Sequence, residues 1–331
     1  MNLVTGGTGL VGSHIILDLL KKDLPVRALK RSKSNLEPIK SIFDFYKKND
    51  LYEKIEWVEG DVLDIPSLEV AMDQIDNVYH AAALVSFHKK HFKRMYDVNV
   101  KGTTNIVNQA LSSRVKKIGH VSSIAAIGRN NTHYFTEENK WKNDKNNSYY
   151  AITKYGAERE IWRGINEGLP AVIVNPGIII GPSNWNRSST TLFKNIHKGL
   201  KYYTEGVNGF VDVRDVSKAI ISLANSQIHS EKYILVSENL SYKEVFSEIA
   251  KSLNKEAPNK LASKTTLEIA WRLALLKSYF TGKTPPITKE TARTTSQQFY
   301  YDSTKIKNEL SFEFYSTNDA IKNAAKYFLE I

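Results

Sequence analysis

Thr5-Gly6-Gly7-Thr8-Gly9-Leu10-Val11-Gly12 is the stretch whose reading decides the fold. An apolar run, Asn2–Thr5, precedes it, and a helical period, Leu10–Lys22, follows it. In a strand–turn–helix, the first glycine permits a tight turn, the second lets the backbone approach a pyrophosphate, and the third packs helix on strand. Phosphates then sit on free N–H groups at the helix N-terminus, where the macrodipole favours anions. Gly6, Gly9 and Gly12 therefore predict a dinucleotide site and not an ordinary turn.

Outward from this turn the same unit recurs. Strands are expected at Val26–Leu29, Ile55–Glu59, Asn77–His80, Lys117–Ser122 and Ala171–Asn175, with helices at Ser67–Gln74, Asp97–Ser112 and Tyr150–Glu167 carrying apolar residues at three-and-four spacing. Alternating strands and helices predict an α/β, doubly wound parallel sheet. After Pro176 the rhythm breaks: Gly181-Pro182 and Asn184–Thr190 read as a loop. Gly209–Val213 and Lys232–Ser237 are expected to resume the sheet, flanking a helix at Val216–Asn225. The remainder, Thr191–Lys198, Tyr242–Leu253, Thr265–Phe280 and Asn318–Phe328, is helical in pattern. The expected domains are 1–177, resuming at 209–237, for nucleotide, and 178–208 with 238–331 as a smaller, mainly helical substrate unit.

Composition limits the function classes. At 331 residues with 41% hydrophobic and 24% charged residues, the chain is an ordinary globular one of about two domains, not fibrous or disordered. Its longest apolar stretch, Leu267–Phe280, is broken by Glu268, Arg272, Lys277 and Ser278, too polar for a membrane span. Resting on a membrane surface is a minor alternative for that helix. The N-terminus lacks the pattern of a secretory signal, so the expected location is cytoplasmic. No cysteine is present, which removes thiolate chemistry and disulfides. The excess of 46 Lys and Arg over 35 Asp and Glu gives +11, but the cations are scattered singly or in pairs, so nucleic acid is not an expected partner. The eight histidines show no metal-ligand spacing, and no metal is expected.

The spacing T-G-x-x-G-x-x-G resembles the short-chain dehydrogenase/reductase superfamily, and T-G-G-T-G-L-V-G its extended branch. Further fragments match in order. Gly60-Asp61-Val62 is similar to the segment whose acid accepts from the adenine amino group. His80-Ala81-Ala82-Ala83 is similar to the small-residue stretch that lets the riboses lie on backbone. Asn99-Val100-Lys101-Gly102-Thr103 matches N-V-x-G-T, whose asparagine steadies the strands near the nicotinamide, and Asn175-Pro176-Gly177 matches the segment touching the carboxamide. The resemblance implies a Rossmann fold and a cofactor set of Gly6, Thr8, Gly9, Leu10, Val11, Gly12, Asp61, Val62, Ala81, Ala82, Ala83, Asn99, Tyr150, Lys154, Pro176, Gly177 and Ile178. Single members have blander readings: Asp61 as a helix cap, Asn99 as structural, His80 as a packed strand-end histidine.

Hydride transfer to a carbonyl builds negative charge on oxygen, so a proton donor is needed there. A tyrosine serves if a nearby ammonium lowers its pKa from ~10. Tyr150 and Lys154 stand at i and i+4 on one helix face, which selects Tyr150 over Tyr149. Lys154 has a second task open to it, bonding the nicotinamide ribose. The resemblance to S-x-x-x-x-G pairs Ser123 with Gly128 and prefers Ser123 to Ser122 as the hydroxyl orienting the carbonyl.

NADP is expected over NAD. At the end of the second strand, where a carboxylate would hold the ribose of NAD, the chain reads Lys30-Arg31-Ser32, and a guanidinium can grip a 2′-phosphate. Within the extended branch, the chain resembles the dihydroflavonol-4-reductase-like group. Where sugar-nucleotide enzymes present an arginine before an aromatic, it reads Asn208-Gly209-Phe210, and Thr281–Thr288 with Tyr301–Lys305 look like that reductase group's tail. The expected function is reduction of a ketone or aldehyde of a small, apolar or aromatic substrate. The alternatives are a sugar-nucleotide epimerase or dehydratase, a hydroxysteroid-type dehydrogenase and a non-catalytic nucleotide-binding regulator. A homodimer is one assembly carried with this reading. Pocket-lining segments are expected at Leu84–Phe92, Arg129–Trp141, Ile178–Asn186 and Trp271–Phe280, with Phe87, Tyr134, Trp185 and Trp271 prominent.

Overall fold

The computed structural model describes residues 1–128, 134–144, 147–185, 188–281, 285 and 287–330. Residues 129–133, 186, 187, 282–284 and 286, which belong to stretches singled out above, lie outside the described residues.

Seven strands, β1 (Asn2–Thr5), β2 (Val26–Lys30), β3 (Glu56–Glu59), β4 (Asn77–His80), β5 (Lys117–Val121), β6 (Ala171–Pro176) and β7 (Glu231–Leu235), form one sheet in the order β7-β6-β5-β4-β1-β2-β3. Every pairing in it is parallel. Successive side chains of a strand point to opposite faces, and the packing follows that period. Val4, Tyr79, Val172 and Val174 face helices Leu10–Leu20 and Val213–Ala224, whereas Leu3, Val78, Ile118, Ala171 and Ile173 face helices Ile65–Met72, Gly102–Ser112 and Tyr149–Asn166. Cover on both faces is why the inner strands β1, β5 and β6 are buried along their whole length, whereas the edge strand β3 (Glu56–Glu59) carries exposed glutamates.

The order reverses direction between β1 and β4, the point at which an open α/β sheet leaves a crevice at its carboxyl edge. Register places Thr5 beside His80, and His80 beside His120, along that edge.

Gly209–Val213, expected to rejoin the central sheet, does not. The strand Val207–Asp212 pairs in parallel with Ile178–Ile180 and antiparallel with Glu238–Ser241 in a separate three-stranded sheet. Phe210 is buried there with Ile180, Phe193, Tyr242, Val245, Ile249, Ile321 and Ala324 in a second core. Only Glu231–Leu235 continues the main sheet, because its neighbour β6 still had a free edge. The helix expected over Asp97–Ser112 opens instead with a five-residue π-turn, Asp97–Lys101, before the α-helix at Gly102.

Helix Lys264–Thr281 buries little besides Leu267 and Ser278, and leaves Ile269, Leu273, Leu276, Tyr279 and Phe280 more than half exposed. Among the described residues no helix is long and apolar enough to cross a membrane.

Candidate active site

The glycine turn sits at the reversal point. Gly6 has φ +72°, and a Cβ on it would lie 2.6 Å from the Ala82 nitrogen, so the turn lies directly against the Ala81-Ala82 backbone. A Cβ on Gly12 would lie 2.2 Å from the Gly6 carbonyl oxygen, which is why the helix can start this close to the strand. Helix Leu10–Leu20 begins at Gly9 with no side-chain cap, leaving its leading N–H groups for another partner. A cradle that admits no Cβ and an uncapped helix N-terminus fit a dinucleotide pyrophosphate. Thr8, Leu10 and Val11 belong to this turn and helix start, and Val62 packs under Gly102.

The floor beneath is a hydrogen-bonded chain. The Thr5 hydroxyl meets His80 Nδ1 at 2.7 Å, His80 Nε2 meets the Thr103 hydroxyl at 2.9 Å, and Thr103 donates to the Asn99 carbonyl at 2.6 Å. His80 thus has both ring nitrogens engaged and is held neutral, its pKa pushed down to about 3 by burial and by Lys154. Asn99, in the π-turn, accepts from Leu84 N–H at 2.7 Å and donates to the Leu84 carbonyl at 3.0 Å and to Thr153 at 3.0 Å. It ties the segment following β4, with Ala83, to helix Tyr149–Asn166.

At the other end of the crevice a cavity of about 500 Å³ is lined by Arg31, Ser32, Lys33, Glu59, Gly60, Asp61, Asp64 and Arg94. The Asp61 carboxylate also accepts from Leu63 N–H at 3.0 Å, closing a turn ahead of the helix that begins at Ile65. Lys30 is placed differently from Arg31. It ends β2 in register with Glu59, and its carbonyl accepts from Gly60 N–H. Arg94, from the short helix Phe92–Tyr96, comes to this cavity with no signal in the sequence to mark it.

Ser123, Tyr150 and Lys154 converge beyond β5. Ser148 caps helix Tyr149–Asn166 by accepting from Ala151 N–H at 2.8 Å, which sets Tyr150 in the first turn. Ser123 lies close enough to Tyr150 to favour its ionised form. Ser123 also accepts from Ala125 N–H at 3.1 Å, opening a short 3₁₀ turn. Ser122 is occupied elsewhere: it donates to Glu158 at 2.8 Å. Tyr149 packs its ring, tilted, against Phe92 with centroids 4.7 Å apart. A Cβ on Gly128 would collide with the Lys140 carbonyl oxygen at 1.9 Å, so glycine there lets residues 140–141 close over the loop after Ser123.

Lys154 is 2% exposed and donates to the Val121 carbonyl at 2.8 Å. Burial lowers its pKa to about 8, partly offset by Glu158. The Tyr150 hydroxyl is raised above its ordinary 10 by burial, with Ser123 acting the other way. The lowering expected from Lys154 is therefore not the net direction here: burial dominates and the ammonium is directed at a main-chain carbonyl.

Pro176, Gly177 and Ile178 run from β6 into the neighbouring small sheet. A Cβ on Gly177 would sit 2.4 Å from the Gly209 carbonyl oxygen, so that backbone crosses directly over it. Of the aromatics expected to line a pocket, Phe87 presents its ring edge-on to Tyr150 at 5.8 Å. Trp185 instead packs among Phe193, Tyr327 and Phe328, Tyr134 stacks on Tyr300, and Trp271 packs with Leu267 and Ala292. Trp185 is thus core, because the second unit's helices close on it.

Glu158 is the site residue that motif reading passed over, though Tyr150, Lys154 and Glu158 recur every four residues on one helix face.

Residues 2–235 match the NAD dependent epimerase/dehydratase family. A Synechocystis protein provisionally named as a dihydroflavonol 4-reductase is 29% identical over 98% of this chain and 93% of its own length. Tetraketide alpha-pyrone reductase 2 of Arabidopsis thaliana is 30% identical over 78% of this chain and 83% of its own. The crystal structure of gox2253 superposes with a TM-score of 0.82 at 27% identity, covering 100% of this chain and 98% of that one.

Proposed function

This chain belongs to the NAD dependent epimerase/dehydratase family and is an NAD(P)-dependent oxidoreductase of the extended short-chain dehydrogenase/reductase type; on that premise we propose that it reduces a ketone or aldehyde of a small, apolar or aromatic substrate with NADPH. The observation that carries the reading is the convergence of Ser123, after β5, and Tyr150, in the first turn of its helix, beside buried Lys154 at the carboxyl edge next to the glycine turn.

The cofactor supplies the hydride. Tyr150 donates its proton to the carbonyl oxygen as charge develops there, Ser123 orients that oxygen, and the Lys154 ammonium stabilises the phenolate that results. Lys154 also bonds the nicotinamide ribose, with Asn99 holding the neighbouring backbone and Pro176, Gly177 and Ile178 meeting the carboxamide. Ala81, Ala82 and Ala83 take the riboses, and Asp61 and Val62 the adenine. Phe87 gives the substrate an apolar wall at Tyr150. Residues 1–177 with 213–237 act as the cofactor unit, and 178–212 with 238–331 as the substrate unit, whose own core takes in Phe210.

Arg31 and Arg94 favour a 2′-phosphate, hence NADP. A sugar-nucleotide reading is disfavoured by Asn208, which bonds Tyr242, and by Arg214, which grips Asp212 and stacks on Tyr315 and so has no free fork for a diphosphate.

Single-turnover oxidation of NADPH against a panel of aromatic and aliphatic ketones and aldehydes, with uridine- and thymidine-diphosphate sugars alongside, tests this. Oxidation by a carbonyl compound is the expected result. Turnover of the sugar nucleotides alone, or binding of them at micromolar concentration, rejects it.

A further inference from the structure

We propose that Glu158 is a positioning residue for the Tyr150–Lys154 pair: its buried carboxylate opposes the charge of the Lys154 ammonium and, through Ser122 and Asn175, holds the backbone that carries Ser123. The inference rests on the acid/base reading of Tyr150 and Lys154 given above.

Glu158 lies one turn beyond Lys154 on the face of helix Tyr149–Asn166 turned to the sheet, and it is 3% exposed. A carboxylate so far from water is costly unless its oxygens accept hydrogen bonds and a cation is near. Both conditions are met from three strands. Glu158 Oε2 accepts from the Ser122 hydroxyl at 2.8 Å, beyond β5, and from Asn175 Nδ2 at 2.9 Å, on β6. Lys232 Nζ, on β7, stands 3.8 Å from Oε1. The same Asn175 amide donates to the Ser123 carbonyl at 3.0 Å. The carboxylate and the Ser123 backbone therefore share one donor, and a shift of Glu158 is passed to Ser123, the neighbour of Tyr150.

The groups facing Lys154 make its charge state depend on Glu158. The Val121 carbonyl accepts a hydrogen bond from it, and the imidazoles of His80 and His120, on β4 and β5, stand in its field. Both are held neutral, pushed below their ordinary pKa first by burial. Tyr150, on the same helix, stays protonated well past neutrality. Glu158 supplies the opposing charge, and Lys232 shares it. Burial alone favours neutral Lys154; the carboxylate acts against that, so the ammonium persists to about pH 8.

The test is the pH profile of kcat/KM for NADPH-dependent carbonyl reduction in the parent, Glu158→Gln, Glu158→Asp and Tyr150→Phe, with thermal melts of each. Glu158→Gln keeps an acceptor for Ser122 and Asn175 but removes the charge. The alkaline limb is expected to move to lower pH by about one unit, with kcat reduced about fivefold at pH 8 and KM for substrate within about twofold. Glu158→Asp withdraws the carboxylate by one methylene and is expected to move the limb the same way by less. A limb unmoved in folded Glu158→Gln overturns the proposal, as does an Asp variant matching the parent in both limb and kcat, even where the amide variant does not fold. Retained rate in Tyr150→Phe instead rejects the acid/base reading on which the proposal stands.

Discussion

Lys154 donates its ammonium to the main-chain carbonyl of Val121 across 2.8 Å, pinning helix Tyr149–Asn166 to the end of β5. This bond keeps the cation within the crevice without a carboxylate as its direct partner, and burial lowers its pKa to about 8. The ammonium is present below that value and lost above it. The kcat/KM for carbonyl reduction is therefore expected to be level near pH 7 and to fall by about a factor of ten per unit above pH 8. Tyr150 cannot produce this limb, since burial raises it above its ordinary 10. A rate that holds steady to pH 10 would assign the limb to Tyr150 and remove Lys154 from the step.

Tyr150→Phe deletes the hydroxyl proposed as proton donor while leaving the ring on Phe87. The expected loss is on the order of 10²–10⁴ in kcat, with cofactor affinity, measured by fluorescence titration, close to the parent's. Tyr149→Phe should change neither, because Tyr149 uses its ring against Phe92. The reverse pattern would mean that the helix presents the other tyrosine to substrate.

Arg31→Ala tests the choice of cofactor. A charge-assisted hydrogen bond to a phosphate contributes ~1.5–3 kcal/mol, so the parent is expected to prefer NADPH to NADH by about ten- to a hundredfold in Kd, narrowing with added salt. The substitution should remove most of that preference and leave NADH binding nearly unchanged. Glu59, Asp61 and Asp64 line the same cavity and oppose the phosphate, which makes the cations decisive. Equal affinities in the parent, or a preference that survives in Arg31→Ala and in Arg94→Ala, would place the phosphate elsewhere.

Asp215 gives a stability prediction away from the crevice. It is fully buried, its Oδ2 accepts from Tyr315 N–H at 2.9 Å, and burial raises its pKa to about 7. A carboxyl raised above its unfolded value binds more protons folded than unfolded, so this group favours folding at low pH, and stability falls as pH rises from about 4 through about 7. Asp215→Asn, which keeps an acceptor for Tyr315 without the charge, is expected to stabilise by on the order of 1–3 kcal/mol at pH 8 and by little at pH 5. Melts at the two pH values decide it; equal shifts would show that Asp215 is not titrating in the folded state.

The fold was legible because its signals are local. The glycines at 6, 9 and 12 must meet a strand end within a few ångströms, and the buried strands must be apolar on both faces, so both leave short-range marks in the chain. That Ser123, Tyr150 and Lys154 come together beyond β5 could be expected for the same reason, two of them by helix spacing and one by its place after a strand. Sequence could not tell Val207–Asp212 from a central strand, since an apolar strand looks the same whichever sheet it joins, and Ile178–Ile180 and Glu238–Ser241 had to be in place to capture it. Nor could it tell a pocket aromatic from a core one: Phe87 and Trp185 are alike until helix Thr317–Glu330 closes over the second. The electrostatics of the crevice belong wholly to tertiary structure. Lys154 and Glu158 are ordinary surface residues on an isolated helix, and only packing against β5, β6 and β7 removes their water, lowers the one toward neutrality and makes the other its necessary counter-charge.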